Sequence, residues 1–283
     1  AVKAGKRVLL ANKESLVMTG HLLLDAAQRH GASILPLDSE HNALFQCLPT
    51  AQGFREKTLA EAKVSKLLLT GSGGPFRQTP LHELAQQTPQ SACKHPNWNM
   101  GRKVSVDSAT MINKGLEYIE AKLLFNAADH ELGVIVHPQS IIHSLVQYQD
   151  GTSLAQIGHS DMRVPIAYAL GYPQRLASGV SDIDLTPLTL TFEPVDFARY
   201  PGLKLAIEVA NDNALTTILN AANEAAVAAF LAYRIGFMQI VDTVKYCLEN
   251  TPTAAITDID SVLALDSAAK RLAADFIQTR GLS

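Results

Sequence analysis

One stretch of the sequence decides the fold class: residues 7–37, RVLLANKESLVMTGHLLLDAAQRHGASILPL. Its two ends are short apolar runs, Val8–Ala11 and Ser33–Leu37, which have the length and composition of buried strands. The segment between them, Leu16–His30, is predicted to be a helix that ends at Gly31. A strand, a helix and a second strand in this order predict an α/β fold with parallel strands.

The middle of the chain predicts a second sheet of a different kind. The apolar run Lys66–Thr70 ends at a glycine turn, and Val134–Pro138 and Ser144–Tyr148 also have strand character. Asp150-Gly151 is a strong hairpin signal, after which Ser153–Ile157 is expected to return as the partner strand. We therefore expect a mixed sheet that is covered by helices on one face.

The last third of the chain predicts a helical bundle. Residues 172–200 contain several prolines without helical periodicity and are interpreted as a linker or an extended arm. From Gly202 onward the sequence is rich in alanine and helical in character. The predicted helices are Leu203–Asn211, Ala214–Tyr233, Met238–Asn250 and Ile259–Thr279. Consecutive helices of this kind favour a small bundle with a core of its own.

Composition and charge exclude several kinds of partner. The 283 residues include 24 basic and 27 acidic side chains, and the basic residues form no stripe, so nucleic acid is not an expected partner. There is neither a secretory signal nor a run of 18 uncharged apolar residues, so a membrane span is not expected. The cysteines, Cys47, Cys93 and Cys247, are isolated and odd in number, which favours a reducing compartment over disulfides or a metal–thiolate site.

An acidic pair, Asp38 and Glu40, closes the second apolar run. On an extended strand end, residues two apart point to the same face, so both carboxylates could reach one Mg²⁺ or Mn²⁺ ion. The alternative is helix capping, in which Asp38 or Ser39 caps a helix over His41–Leu48 and Glu40 lies in its first turn. The local sequence favours capping.

Two further segments are candidate anion sites. The glycine turn 71–75 contains Ser72 and is either a phosphate cradle or a flexible loop. Asn113, Lys114 and Glu117 share a predicted helix face that follows the hydroxyl-rich segment 105–110. The alternative for these three residues is a surface Lys–Glu pair that contributes a few tenths of a kcal/mol, roughly.

The remaining polar features have mainly structural interpretations. The loop 95–101 contains the only tryptophan of the chain, which is either part of a lid or an anchor of the loop to the core. His137, His143 and His159 lack metal-ligand spacing and are interpreted as structural or exposed. Three polar residues in the second predicted bundle helix are interpreted as making hydrogen bonds between helices; they are Asn220, Asn223 and Glu224.

Taken together, these motifs resemble those of the 1-deoxy-D-xylulose 5-phosphate reductoisomerase family. The resemblance runs from residue 1 to near the C-terminus, with the motifs in the family's order. The segments that carry it are Leu10–Ser15, Leu37–His41, Thr70–Arg77, His95–Gly101, Ser108–Glu117, His137–Ser140 and Asn220–Glu224.

The resemblance implies an NADP-dependent oxidoreductase of the non-mevalonate isoprenoid pathway. Such an enzyme rearranges 1-deoxy-D-xylulose 5-phosphate and reduces the aldehyde intermediate with NADPH to 2-C-methyl-D-erythritol 4-phosphate. It further implies Mg²⁺ or Mn²⁺ as the metal, with Co²⁺ as a further candidate, a homodimer, and a bacterial cytoplasmic location, with a plastid as the alternative. A chelated Lewis acid suits the movement of a carbonyl along a polyol.

Site residues are implied position by position. The metal ligands are expected to be Asp38, Glu40 and Glu117, and the catalytic residues Lys13, Glu40 and His95. The NADPH contacts are expected at Asn12, Glu14 and Gly101, with residues 95–100 as a closing loop. The substrate contacts are expected at Lys13, Ser39, Glu40, Ser72, His95, Ser108, Asn113, Lys114 and Glu117, of which Ser72, Ser108, Asn113 and Lys114 hold the phosphate.

The N-terminus departs from the family pattern. The family begins with a Rossmann-type half carrying a glycine fingerprint, and no such context precedes Asn12, so we expect an N-terminal truncation of roughly a hundred residues and poor NADPH binding. The expected architecture is α/β: a remnant of a Rossmann-like NADPH domain, an α+β catalytic domain with a mixed sheet, and a C-terminal helical bundle. The corresponding ranges are 1–37, 38–171, 172–200 as linker, and 201–283.

Two functions of other classes stay open on the sequence alone. The first is a non-catalytic metal- and phosphate-binding module or a degenerate paralogue, which intact ligand positions disfavour. The second is a sugar-phosphate isomerase without redox chemistry, which would not consume NADPH.

Overall fold

A computed structural model describes residues 1–49, 58–94, 100–253 and 255–280 of the chain. These residues divide into two compact units, each built from three separated segments. Unit one comprises Ala1–Lys13, Leu23–Ser72 and Glu120–Val195, and unit two comprises Glu14–Leu22, Gly73–Ile119 and Asp196–Ser283. The four ranges predicted from the sequence are each contiguous, so they do not coincide with these two units. That each range folds as an independent domain stays a prediction.

Unit one contains both sheets of the described chain. Strands β1 (Arg7–Leu10) and β2 (Ser33–Pro36) pair in parallel, which confirms the predicted α/β start. The second sheet has the strand order β4-β3-β5-β6. Its strands are β3 (Val64–Gly71), β4 (Leu132–Val136), β5 (Ile142–Tyr148) and β6 (Ser153–Ile157).

The four-stranded sheet is mixed, as the sequence predicts. Strand β3 pairs in parallel with β4 and antiparallel with β5, while β5 and β6 form the predicted hairpin. Helix α3 (Ser39–Cys47) packs on β5 and β6 and buries Leu44 completely, whereas Leu154 on edge strand β6 is 46% exposed. Burying one face of the sheet under α3 fixes the register of these strands, because a shift by one residue would expose their core side chains.

The predicted helix over Leu16–His30 is two helices. They are α1 (Lys13–Thr19) and α2 (His21–Arg29), and they are separated by Gly20 at φ +48°. A Cβ atom at residue 20 would lie 2.1 Å from Oδ1 of Asn213, so a glycine is required there by both backbone conformation and packing. Periodicity alone does not reveal this break, because both helices continue the same apolar pattern.

Further helices surround the sheets and build the bundle. Helices α4 (Pro89–Ala92) and α5 (Arg102–Thr110) belong to unit two, α6 (Ile112–Phe125) runs from unit two into unit one, and α7 (Arg163–Gly171) belongs to unit one. The four predicted bundle helices are confirmed as α8 (Pro201–Val209), α9 (Asn213–Leu231), α10 (Phe237–Asn250) and α11 (Ile259–Arg280).

Helix α9 is the central element of the bundle. Helices α10 and α11 pack on it, and Ala222, Ala226 and Val227 are fully buried. Among the described residues, α9 is the one helix that is long and apolar enough to cross a membrane. However, 72% of its most apolar stretch of 18 residues is buried inside the protein. Its burial against its neighbours accounts for its composition.

The proline-rich segment after α7 is extended, as predicted, and lies against strand β4. Backbone bonds join Val136 and Glu193 in both directions, at 2.9 and 2.8 Å. His137 is buried and its Nδ1 lies 2.8 Å from the carbonyl oxygen of Thr191. His143 is also buried and His159 is exposed, which agrees with the structural or exposed roles predicted for these histidines.

Candidate active site

Asp38 is the first functional candidate of unit one. It follows β2 and is the N-cap of α3, where its Oδ1 accepts a hydrogen bond of 3.3 Å from the backbone N–H of Glu40. Its Oδ2 lies 2.6 Å from Nζ of Lys13, in an ion pair whose side chains are 12% and 11% exposed. The strand-end geometry proposed for Asp38 and Glu40 is wrong, because α3 begins at Ser39 and places Glu40 in the first helical turn.

The charge of Asp38 is held by its neighbours. Burial by itself would raise the pKa of this carboxyl, but the Lys13 ammonium and the His41 ring bring the pKa well below its usual value. Because the folded pKa is lowered, the ion pair stabilises the fold above the ordinary carboxyl pKa. That contribution is lost only as the pH falls through the lowered pKa.

A buried histidine joins Asp38 to a second acid, Glu120 on helix α6. The Nδ1 atom of His41 lies 3.4 Å from Oδ1 of Asp38 and 3.0 Å from Oε2 of Glu120, and both His41 and Glu120 are fully buried. One ligand atom from each of these three residues lies within 4.8 Å of the others, so the group has the composition of a metal site. The sequence analysis missed Glu120, although Glu117 and Glu120 share a helix face at spacing i, i+3.

Unit two contains the predicted Asn113, Lys114 and Glu117 group at the start of α6. The Lys114 ammonium pairs with one carboxylate oxygen of Glu117, and the Asn113 side-chain amide donates to the other. The side chains of Lys114 and Glu117 are 6% and 2% exposed, so the surface-pair alternative is wrong. Ion pairs this deeply buried contribute little net stability, so a functional role explains this pair better than stability does.

The glycine turn after β3 is packed against helix α5. Gly74 has φ +66°, and a Cβ atom there would lie 2.6 Å from the carbonyl oxygen of Ser108. The hydroxyl of Tyr200 donates to the carbonyl oxygen of Gly73 at 2.8 Å. These contacts order the turn beside α5, so the flexible-loop alternative is wrong. Ser72 precedes the turn as the last residue of its segment in unit one and is half-buried, as is Ser108 in unit two.

The residues expected to contact NADPH lie near the starts of α1 and α5. Asn12 is exposed, and Oε1 of Glu14 lies 3.1 Å from Nζ of Lys103. Gly101 is exposed and is the N-cap of α5, with no side-chain cap on the first turn. Ser39 is half-buried and donates to Glu40. His95 and most of the predicted closing loop lie outside the described residues.

The polar group of α9 makes contacts between helices, as predicted. Asn223 donates from Nδ2 to Oδ1 of Asp107 on α5 at 2.8 Å, and Glu224 pairs with Lys270 on α11 at 2.8 Å. Asn220 lies 3.3 Å from the sulfur of Met18 on α1.

Comparisons with known proteins identify the family. The family model described as the 1-deoxy-D-xylulose 5-phosphate reductoisomerase C-terminal domain matches residues 34–125, and one described as the DXP reductoisomerase C-terminal domain matches residues 157–272. The 1-deoxy-D-xylulose 5-phosphate reductoisomerase of Tolumonas auensis is 58% identical over 277 residues, which cover 96% of this chain and 70% of the relative. The chain belongs to the 1-deoxy-D-xylulose 5-phosphate reductoisomerase family.

Further relatives agree. The reductoisomerase of Idiomarina loihiensis is 56% identical over 282 residues, covering 98% of this chain and 71% of the relative. A crystal structure of DOX-P reductoisomerase in complex with NADPH, fosmidomycin and magnesium matches with a TM-score of 0.95 and 44% identity, over 99% of this chain and 72% of that one. The Zymomonas mobilis enzyme in complex with NADPH matches with a TM-score of 0.89 and 44% identity, over 99% and 71%. The predicted family and fold class are confirmed.

Proposed function

We propose that this chain acts in the NADPH-dependent conversion of 1-deoxy-D-xylulose 5-phosphate to 2-C-methyl-D-erythritol 4-phosphate, a step of the non-mevalonate isoprenoid pathway. The observation that carries the proposal is the set of buried, ion-paired acids at motif positions of the reductoisomerase family. Asp38 pairs with Lys13, and Glu117 pairs with Lys114, in each case with side chains at most 12% exposed. Acids this buried are common at functional sites and uncommon in cores built only for stability.

The proposed metal ligands are Asp38, Glu40 and Glu117. Their carboxylate oxygens are the hard donors that Mg²⁺ and Mn²⁺ prefer, with Co²⁺ as a further candidate, and a related structure is a complex with magnesium. Glu117 lies one helical turn before Glu120, which contacts the His41 ring that also faces Asp38. When bound, the cation would serve as a Lewis acid that polarises the oxygens of the substrate.

The chain's own side chains would orient the ketose around that centre. Lys13 is proposed as a catalytic residue whose ammonium donates to a substrate oxygen, since it already lies beside Asp38. Glu40, which lies in the first turn of α3, and Ser39 would contact the polyol. His95 is proposed as a third catalytic residue and substrate contact on the family resemblance alone.

The phosphate is proposed to bind at Ser72, Ser108, Asn113 and Lys114. The Lys114 ammonium and the Asn113 amide are donors suited to a phosphate dianion, and the adjacent turn at Gly73 and Gly74 is held against α5. A phosphate bound away from the reacting carbons supplies binding energy that orients them.

NADPH is proposed to contact Asn12, Glu14 and Gly101. Related structures are complexes with NADPH. The uncapped start of α5 at Gly101, followed by exposed Arg102, suits an anionic group of a nucleotide, because the first N–H groups of a helix lack intrahelical partners. The loop 95–100 is proposed to close over the bound substrate on the resemblance alone.

A homodimer in the cytoplasm is the proposed working form. Edge strand β6 exposes Leu154 and Ile157, by 46% and 39%, and exposed apolar side chains on a sheet edge are typical of association surfaces. The cysteines Cys47, Cys93 and Cys247 are free thiols, which suits a reducing compartment. A bacterial cytoplasm fits the bacterial relatives, such as that of Tolumonas auensis.

Asp38→Asn tests the proposed reaction, in a protein in which the Rossmann-type half of the family pattern precedes this chain. We expect this change to lower kcat/KM by about a hundredfold, the size typical for loss of one preorganised electrostatic group. NADPH oxidation and formation of the reduced polyol phosphate are measured together. The matched control, Glu208→Gln, alters an exposed pair with Lys204 on α8 and should leave the rate unchanged. Full activity of the Asp38 variant, or product formation without NADPH consumption, would overturn the proposal.

A further inference from the structure

Helix α1 is held at its C-terminal end by side chains of the bundle. The hydroxyl of Thr216 donates to the carbonyl oxygen of Val17 at 2.9 Å, and the hydroxyl of Thr217 donates to that of Met18 at 3.1 Å. The side-chain amide of Asn213 also donates to Met18, at 3.1 Å. The last carbonyls of a helix have no intrahelical partners. Here side chains in the first turns of α9 donate hydrogen bonds to these carbonyls, so the end of α1 is fixed to the central helix of the bundle.

The N-terminal end of α1 is held through a chain of polar contacts. Nζ of Lys103 lies 3.1 Å from Oε1 of Glu14 and 2.8 Å from Oδ2 of Asp107, one turn further along α5. The other oxygen of Asp107 accepts from Asn223 of α9 at 2.8 Å. Glu14 is thereby connected to α9 through two side chains of α5.

These contacts run from a buried end to an end that solvent can reach. Asp107 and Asn223 are 1% and 0% exposed, whereas Lys103 and Glu14 keep 32% and 22% of their side chains accessible. The buried Asp107 is therefore a fixed anchor, and the lysine ammonium bridges from it to the accessible carboxylate. Burial raises the pKa of Asp107, and the Lys103 ammonium and the Asn223 amide make this increase smaller.

We propose that Lys103 is a positioning residue for the nucleotide site, held by Asp107 and Asn223, and that it fixes the carboxylate of Glu14 where a dinucleotide binds. The inference deepens the proposed function, since it rests on NADPH contacting Glu14. Lys103 acts in two ways. It fixes the orientation of the carboxylate toward a nucleotide hydroxyl or amide, and its charge offsets the repulsion between Glu14 and the phosphates of the nucleotide.

Lys103→Met is the first test, made in a protein in which the Rossmann-type half of the family pattern precedes this chain. Methionine keeps the length of the side chain and removes the charge. We expect the Kd for NADPH to rise roughly tenfold, as for loss of one charge-assisted hydrogen bond, while kcat at saturating NADPH and the KM of the phosphorylated ketose stay near those of the wild type. Lys103→Arg retains donors for both carboxylates and should restore NADPH affinity. A merely structural role would instead change both substrates' constants together.

Two further variants keep the test decisive. Lys103→Met leaves the buried Asp107 carboxylate without its lysine, so the double variant Lys103→Met/Asp107→Asn removes both charges and keeps an oxygen that accepts from the buried Asn223. Lys204→Met on the exposed face of α8 is the matched control. A folded double variant that binds NADPH as the wild type does would overturn the proposal.

Glu14→Gln separates the two levels of the argument. Weakened NADPH binding in this variant, with unchanged binding in the Lys103 variants, would overturn the positioning role alone. Unchanged binding in all of them would also remove Glu14 from the proposed cofactor site. Weakened binding in Glu14→Gln and Lys103→Met, with recovery in Lys103→Arg, is the result that supports the inference.

Discussion

At the scale of single residues, Asp38 has two roles that the sequence presents as alternatives. One carboxylate oxygen caps α3, as the local pattern favours, and the other pairs with Lys13. A helix cap and a metal ligand are compatible because a carboxylate has two oxygens and about four lone-pair directions. His41 and Glu120 are buried beside Asp38 and orient its carboxylate. A local sequence pattern cannot show this orientation.

Glu120→Gln tests whether that orientation matters. The change keeps the size of the side chain and weakens its hold on the His41 ring, which lies 3.4 Å from Asp38. We expect the Kd for Mn²⁺ to rise about 10–100-fold, the usual cost of losing a partner that orients a metal ligand. Electron paramagnetic resonance of free Mn²⁺ measures it directly, with Glu208→Gln as the control. An unchanged Kd in a folded variant would show that Glu120 does not orient Asp38.

The residue types of the site were predictable, but their burial was not. The sequence indicates that Asn113, Lys114 and Glu117 share a helix face, and a surface pair fits that spacing equally well. The burial of Lys114 and Glu117 depends on the packing of the folded chain, which local spacing does not report. Glu120 was missed for the same reason, since in the sequence a glutamate within α6 looks the same whether it is buried or solvated.

At the scale of elements, the positions of α6 and α8 depend on close packing at a glycine. A Cβ atom at Gly115 of α6 would lie 2.4 Å from the Cβ atom of Ala206 of α8, below any real contact distance. The neighbouring Asn113 and Lys114 are carried by the same turns of α6, so the proposed phosphate donors depend on this contact.

Gly115→Ala should therefore separate the two helices. Alanine favours a helix by about 1 kcal/mol over glycine, but overpacking costs roughly 1–3 kcal/mol, so we expect a net loss of stability. Urea denaturation measures the free energy of unfolding, and the KM of the phosphorylated ketose should rise as well. Ala206→Gly in the same chain should restore both, and Gly158→Ala, which meets only the end of Gln156 at 3.3 Å, is the control. Wild-type stability of the single variant would contradict the packing argument.

At the scale of the whole molecule, periodicity predicted most of the strands and helices but not how distant segments combine. Six strands and the four bundle helices were expected close to where they occur, because their apolar patterns are local. The division into two units was not expected, since each unit joins three separated segments. Polar side chains of α9 are the physical reason in unit two: Thr216, Thr217 and Asn223 have partners on α1 and α5.

Residues 201–283 expressed alone provide the test at this scale. As a contiguous segment with its own apolar core, this bundle is predicted from the sequence to fold independently. The contacts favour a different outcome, because isolation removes the partners of Asn223, Thr216 and Thr217 and exposes to water the face of α9 that α1 and α5 cover in the full chain. Apolar surface that loses its cover costs roughly 25 cal/mol for each Å² exposed to water. We expect a helical far-ultraviolet spectrum with weak tertiary signals and dye binding, the signature of loosened packing.

A variant of the same segment supplies the matched comparison. Thr216→Val, Thr217→Val and Asn223→Leu place apolar side chains on the uncovered face, so the variant should bind more dye than the parent segment and should not gain cooperative unfolding. In the full chain the same three changes should destabilise, because there the polar groups have partners. Cooperative unfolding of the unaltered segment would show instead that the bundle is an independent domain, and that α1 and α5 add to its stability without being required for it.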